Sequence, residues 1–160
     1  MKVIDNFLDD FEFKKLANII LKDRFPWYFN DYKTEPNDEN FQFTHVFFRE
    51  GRISSDFSKI VMPVIKKLDA KSVIRVKANL TPKKEKNIKS VMHIDTGIEN
   101  SKTAILYCNT NNGSTLFQNG KKVFSKENRV VIFDGHQKHC GIDCTDQKIR
   151  VVINFNYFLK

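Results

Sequence analysis

From Ser72 onward apolar residues recur at every second position in short bursts, whereas before it they recur at intervals of three and four. That change of period separates an early helical part from a later strand-rich part. Asp9 to about Lys22 predicts the first helix. Phe13, Leu16, Ala17, Ile19 and Ile20 make one stripe, and Asp9 with Glu12 has capping-box spacing. Ser54 to Asp69 predicts a second helix, with Phe57, Ile60, Val61, Val64, Ile65 and Leu68 at helical spacing. Pro63 lies inside that run and should kink or restart it, because proline has no N–H to donate. Between the two, FPWYFNDYKTEPNDENFQFTHVFF reads aromatic, polar, aromatic. It predicts two strand-like pieces around an exposed loop at 33–40.

The period-two region predicts strands at 72–80, 90–95, 102–109, 114–118, 121–124, 128–133, 138–143 and 148–158. TNNGST and QNGKK carry Asn-Gly turn signals between them. Two helices followed by many short strands predict a mainly antiparallel sandwich or barrel with the helices packed outside. The last strand shows its faces most clearly. Ile149, Val151, Ile153, Phe155 and Tyr157 share one side; Arg150, Val152, Asn154, Asn156 and Phe158 share the other. The polar side is either exposed or lines a closed site.

Composition narrows the class. The chain has 160 residues, 41% of them hydrophobic and 29% charged, which is a soluble globular composition for one domain over 1–160. The opening MKVIDNFLDDFEFKK is broken by acids and is no signal peptide, and no run approaches the ~18 apolar residues of a membrane span. Three cysteines, Cys108, Cys140 and Cys144, fit reduced thiols and a cytoplasmic setting. Net charge is +8, from 27 basic and 19 acidic residues, which fits an acidic partner or a merely solvated lysine-rich surface. There is no Gly-x-Ser-x-Gly, no phosphate-binding glycine loop and no nucleotide fingerprint.

The candidate chemistry begins in SVMHIDTG, residues 90–97. On a strand His93 and Asp95 point the same way, so an imidazole nitrogen and a carboxylate oxygen can share one cation. A third ligand must come from His45, His136 or His139, the remaining histidines. Two histidines and one carboxylate with open positions form the ligand set of non-haem Fe(II) oxygenases. A zinc site built on His136, Cys140 and Cys144 lacks a fourth ligand.

Taken in order, HIDTG, TAILYCN, GSTLF and NRVVIFDGHQKHCGIDCTDQKIRVVINFNYF resemble the Fe(II)/2-oxoglutarate-dependent dioxygenases, nearest the small prolyl-hydroxylase-like and phage-type members. The resemblance spans about 72–158, and VIDNFLDDFEFKKL also looks like the first helix of that family. It implies a mainly β fold: a jelly-roll double-stranded β-helix over about 72–158, supported by N-terminal helices over about 1–70. It implies Fe(II), 2-oxoglutarate and dioxygen as cofactor and co-substrates. His93 and Asp95 match the His-x-Asp ligands. His139 matches the distal histidine, six residues after Phe133 and eleven before Arg150, where His136 comes three too early. Arg150 matches the residue that pairs with the far carboxylate of 2-oxoglutarate, Tyr107 a tyrosine that reaches the same carboxylate, and Asn154 lies on the face of Arg150. RVKANLTP departs from the pattern: many prolyl hydroxylases carry a co-substrate tyrosine there, and Asn79 could replace its hydrogen bond.

The activity implied is hydroxylation of a prolyl or other protein side chain, a small molecule or a nucleobase, with 2-oxoglutarate decarboxylated to succinate. Lys83, Lys84, Lys86 and Lys89, in the basic loop before His93, could face such a substrate, and Trp27, Tyr28, Phe29 and Tyr32 could stack on it. The alternative is a jelly-roll that binds nucleic acid or another acidic partner without catalysis. No membrane partner is expected.

Overall fold

Asp9 closes an extended segment and opens the first helix. In the computed structural model, which describes residues 1–34 and 40–159, its Oδ1 accepts the Glu12 N–H at 2.9 Å and starts α1 (Asp10–Ile20). Phe13, Leu16 and Ile20 form the buried face of that helix. The second predicted helix is divided as Pro63 requires. A 3₁₀ helix (Asp56–Val61), capped by Ser55, passes into α2 (Met62–Lys67), with Pro63 in the first turn, where its missing N–H costs nothing. Of the loop expected at 33–40, residues 35–39 lie outside the described residues.

The strands are β1 (Lys2–Ile4), β2 (Tyr28–Asn30), β3 (Gln42–Arg49), β4 (Arg52–Ile53), β5 (Ala70–Pro82), β6 (Lys102–Tyr107), β7 (Ser114–Phe117), β8 (Lys122–Phe124), β9 (Arg129–Asp134), β10 (His139–Ile142) and β11 (Ile149–Leu159). They pair antiparallel. Among the described residues the larger sheet runs β1-β9-β6-β11-β5-β3-β2, with β4 beside β3, and the smaller runs β10-β7-β8. The two sheets make a jelly-roll, and the helices cover the outer face of the larger one.

Alternation along the central strands fills both sides of the larger sheet. Val76, Ala78, Leu106, Val130, Val151, Ile153, Phe155 and Tyr157 pack with Leu16, Ile20, Val61 and Val64 from the helices. Ile105, Tyr107, Val131, Phe133 and Val152 point the other way and pack with Phe117 and Val123 of the smaller sheet. Each such side chain contributes about 1.5–3 kcal/mol on burial, so both layers hold the sheets in register.

The strand predicted at 90–95 does not form. His93 and His139 exchange one pair of backbone hydrogen bonds, at 2.9 and 3.0 Å, and Ser90 N–H donates to the Gly141 carbonyl at 2.9 Å beside a second isolated bridge of Lys89 with Ile142, but no continuous ladder joins the two. Val91 and Ile94 are 44% and 41% exposed. No second layer among the described residues covers them, so the apolar pattern of the run has little to bury against and a longer ladder is not rewarded.

Candidate metal and co-substrate site

The His93–His139 bridge is enough to gather three candidate ligand atoms. His93 sits on it, Asp95 follows two residues later, and His139 begins β10 opposite. Asp95 Oδ1 lies 3.7 Å from His93 Nε2, and Asp95 Oδ2 lies 3.7 Å from His139 Nε2. Nitrogen and oxygen ligands of all three lie within 4.8 Å of one another. Among the described residues no other group of three or more histidines, cysteines or acids gathers this way.

Each imidazole is aimed by its own backbone. His93 Nδ1 is 3.0 Å from the Val91 carbonyl, and His139 Nδ1 is 3.0 Å from the Gln137 carbonyl. An Nδ1–H donated to those oxygens leaves each Nε2 with a free lone pair facing Asp95. Burial pulls the His139 pKa below its ordinary value, which keeps that ring neutral and able to bind a cation. Asp95 is oriented in turn. Asn156 Nδ2 donates to Oδ2 at 3.4 Å, and the Arg75 guanidinium stands 3.6 Å from Oδ1. Asn156 also donates to Thr103 at 3.0 Å and accepts from Arg75 Nε at 3.1 Å, so the carboxylate rests on a connected frame.

The triad opens on a cavity of about 90 Å³, walled by β5, β11, β7 and β10. Arg150 lies at its inner end and is 6% exposed. Its Nε donates to Ser125 Oγ at 3.1 Å and its Nη2 to the Ser114 carbonyl at 3.3 Å. Burial pulls its pKa down, yet a guanidinium stays charged in a protein, and among the described residues it forms no ion pair. Gly113 makes room for it: a Cβ there would fall 2.7 Å from Arg150 Cδ. Two further atoms of the same wall, Asn79 Oδ1 and Asn154 Oδ1, are buried without a hydrogen-bond partner. A buried guanidinium with no carboxylate and two unsatisfied carboxamides suit a dicarboxylate. It would supply the anion, and the amides, turned about, would donate to it. The ligand set likewise suits a divalent ion of the iron type with positions left open.

Tyr107 does not line this cavity. Its hydroxyl donates to Thr115 Oγ1 at 2.7 Å, and Thr115 faces the cavity in its place. The Arg150 guanidinium lies 5.8 Å from the centre of the Tyr107 ring. The reason is layering: β7 of the smaller sheet covers this part of β6, so Tyr107 is fully buried between the sheets. His45 is also committed elsewhere, with Nδ1 2.7 Å from the Pro26 carbonyl and Nε2 2.7 Å from Ser55 Oγ. His136 is exposed, and the three cysteines are buried free thiols. Lys83, Lys84, Lys86 and Lys89 lie away from the cavity wall, and Lys84 sits over the Phe41 ring.

Sequence reasoning missed Lys33, Lys77 and Asp143, which all line the cavity, and Arg75, which holds Asp95. Lys33 forms a buried ion pair with Asp143, at 2.5 and 2.7 Å, that closes the cavity beside β10. The alternation of RVKANLT carried a signal for two of them. Val76, Ala78 and Leu80 pack into or against the core, so Arg75, Lys77, Asn79 and Thr81 must face the other way.

No protein-family model and no curated protein matches the chain. Solved structures do. A 2OG-Fe(II) oxygenase family oxidoreductase from Burkholderia pseudomallei superposes with a TM-score of 0.73 at 10% identity, over 98% of this chain and 84% of that one. The fold is that of the 2OG-Fe(II) oxygenases. A prolyl hydroxylase from Trichoplax adhaerens, in complex with a hypoxia inducible factor oxygen degradation domain peptide fragment, gives 0.66 at 16% identity, over 98% and 82%. The epimerase SnoN in complex with Fe3+, alpha ketoglutarate and nogalamycin RO gives 0.68 at 11% identity, over 98% and 78%. The oxygenase fold thus accounts for nearly the whole of this chain. No helix among the described residues is long and apolar enough to cross a membrane.

Proposed function

We propose that this protein is an Fe(II)- and 2-oxoglutarate-dependent oxygenase that hydroxylates its substrate, with His93, Asp95 and His139 holding the metal. The observation that carries the reading is the convergence of these three residues on one cavity with an unpaired, buried Arg150. When bound, Fe(II) and 2-oxoglutarate supply oxidising chemistry with dioxygen: one oxygen atom enters a substrate C–H bond as hydroxyl, the other enters succinate, and carbon dioxide leaves.

The chain's own work is positioning. Arg150 receives the far carboxylate of 2-oxoglutarate on its guanidinium fork, with Thr115, Asn79 and Asn154 around it. Tyr107 acts through Thr115 rather than on the co-substrate. Asn156 and Arg75 keep Asp95 turned toward both imidazoles. Ile105 and Val152 give the cavity apolar wall, and the Lys33–Asp143 pair limits entry of water from that side.

Two measurements test the reading. Under nitrogen, Fe(II) and 2-oxoglutarate added together should produce the weak visible absorption of a metal-bound keto acid. In air, succinate should form with a pool of peptides, nucleotides or free amino acids. Absence of the absorption in the wild-type protein would remove the enzyme reading.

A further inference from the structure

β5 and β11 are paired so that four positions of each share one face of the sheet in sequence, three lining the cavity and the fourth the groove beyond it. Thr81 stands opposite Arg150, Asn79 opposite Val152, Lys77 opposite Asn154 and Arg75 opposite Asn156. Arg150 and Asn156 are therefore roughly 20 Å apart along the strand. The inner end of this ladder is the Arg150 cavity. The outer end is different. It opens into a groove of about 440 Å³ lined by Arg49, Arg75, Lys77, Glu50 and the ligand Asp95 among others. A second opening, of about 360 Å³, shares Arg75, Lys77 and Asp95 and adds Lys33 and His93.

The cations here exceed what folding needs. Arg49 stands directly opposite Arg75 on the neighbouring strand, a like-charge pair that opposes folding. The Arg49 side chain makes no ion pair among the described residues, and Lys77 has no hydrogen-bond acceptor among them. Lys77 is half-buried all the same, and desolvation, with Arg75 and Arg49 close by, pulls its pKa down against the attraction of Asp95. Of the two acids in the groove, Asp95 faces the imidazoles and pairs with Arg75 at 3.6 Å, which leaves Glu50 against Arg49 and Lys77. A groove with that balance, touching the metal triad on the side away from Arg150, attracts an oxyanion.

We propose that the prime substrate carries a carboxylate or phosphate that seats on Arg49, Arg75 and Lys77 and holds the substrate against the outer side of the His93–Asp95–His139 triad. Arg75 then serves two roles, bracing Asp95 and sharing the anion. The proposal rests on the oxygenase reading for the meaning of the triad, but the anion station itself needs neither metal nor co-substrate.

The test uses the full chain, metal-free, at low salt, with inorganic pyrophosphate and citrate as separate probes followed by NMR of the backbone amides. Shifts should appear at residues 49, 75 and 77 with at least one probe. Arg49→Gln and Lys77→Met should each weaken that binding by about tenfold, with the melting temperature retained. A stronger response to pyrophosphate assigns phosphate as the recognised group; a stronger response to citrate assigns carboxylate. Shifts confined to residues 79, 150 and 154, or no saturable shifts, would overturn the proposal and leave the co-substrate reading standing. Shifts at the outer groove in a protein that shows no absorption with Fe(II) and 2-oxoglutarate would uphold the anion station and remove the enzyme reading instead.

Discussion

Arg150 and Arg75 face the same cavity system from opposite ends of one strand ladder, and their surroundings make them different tools. Arg150 is buried and bonded to neutral groups, Ser125 and the Ser114 carbonyl, and its charge has no ion-pair partner among the described residues. Arg75 is partly exposed and already leans on Asp95 and Asn156. A dry guanidinium without a carboxylate suits one from a ligand; a wet guanidinium beside a carboxylate orients it. Residue type is the same in both places. Burial and partners assign the work.

The sharpest way to break this contrast is to remove one end at a time. Asp95→Ala should lose Fe(II) binding and succinate formation to background, because two imidazoles alone remain; metal retained at wild-type affinity would exclude Asp95 as a ligand. Arg150→Ala should keep the metal and lose the co-substrate. Truncating one side of a buried charge pair costs about 2–5 kcal/mol, so 2-oxoglutarate affinity should fall by roughly 30- to several-thousand-fold. Titration of the visible band checks it, with the melting temperature as control.

Lys33→Met tests whether the cavity wall depends on its ion pair. It leaves Asp143 buried without its cation and should destabilise the fold by about 3–5 kcal/mol, most of which Lys33→Met with Asp143→Leu should restore. Urea unfolding of both variants decides. Asn156→Ala removes the hydrogen bond to Asp95 while leaving the three ligands, and metal affinity should drop about 10–100-fold. An unchanged affinity would mean that Arg75 alone orients the carboxylate.

The smallest effect is on acid stability. Burial lowers the pKa of both His45 and His139 below the ordinary histidine value. Just below about pH 6.5 the unfolded chain therefore binds protons that the folded chain refuses. Stability is complete above that pH and declines as pH falls toward the folded values, by up to about 1.4 kcal/mol per pH unit for each histidine. Urea midpoints of the metal-free protein at pH 7.5 and 5.5 should differ in that direction. Equal midpoints would show that neither ring is held neutral by the fold.

Much of this was legible beforehand, for local reasons. Asp9 and Glu12 mark the start of α1 because capping depends on residues three apart. Pro63 divides the second helical run because the missing N–H is a property of one residue. The two faces of β11 follow from alternation alone, and they separate Val151, Ile153 and Phe155 in the core from Arg150, Val152 and Asn154 at the cavity. The segment at 90–95 imitates a strand in its apolar pattern, but Val91 and Ile94 stay exposed and nothing rewards a longer ladder. The resemblance implies a cavity role for Tyr107, and its strand face agrees with that. Which strand of the second sheet covers that face is a matter of distant residues.

The amino-acid sequence by itself determined the period of each element, the inward face of each long strand and the shared direction of His93 and Asp95; His139 and Arg150 joined them through the resemblance to a family. Period and face follow from side-chain direction, which each residue carries with it. The tertiary structure alone decided that the four share one cavity and that Thr115 stands where Tyr107 was expected. It alone placed Arg75, Lys77 and Arg49 around the outer side of the triad. These are matters of register between strands far apart in the chain, set by packing two apolar layers at once, and no local pattern encodes them.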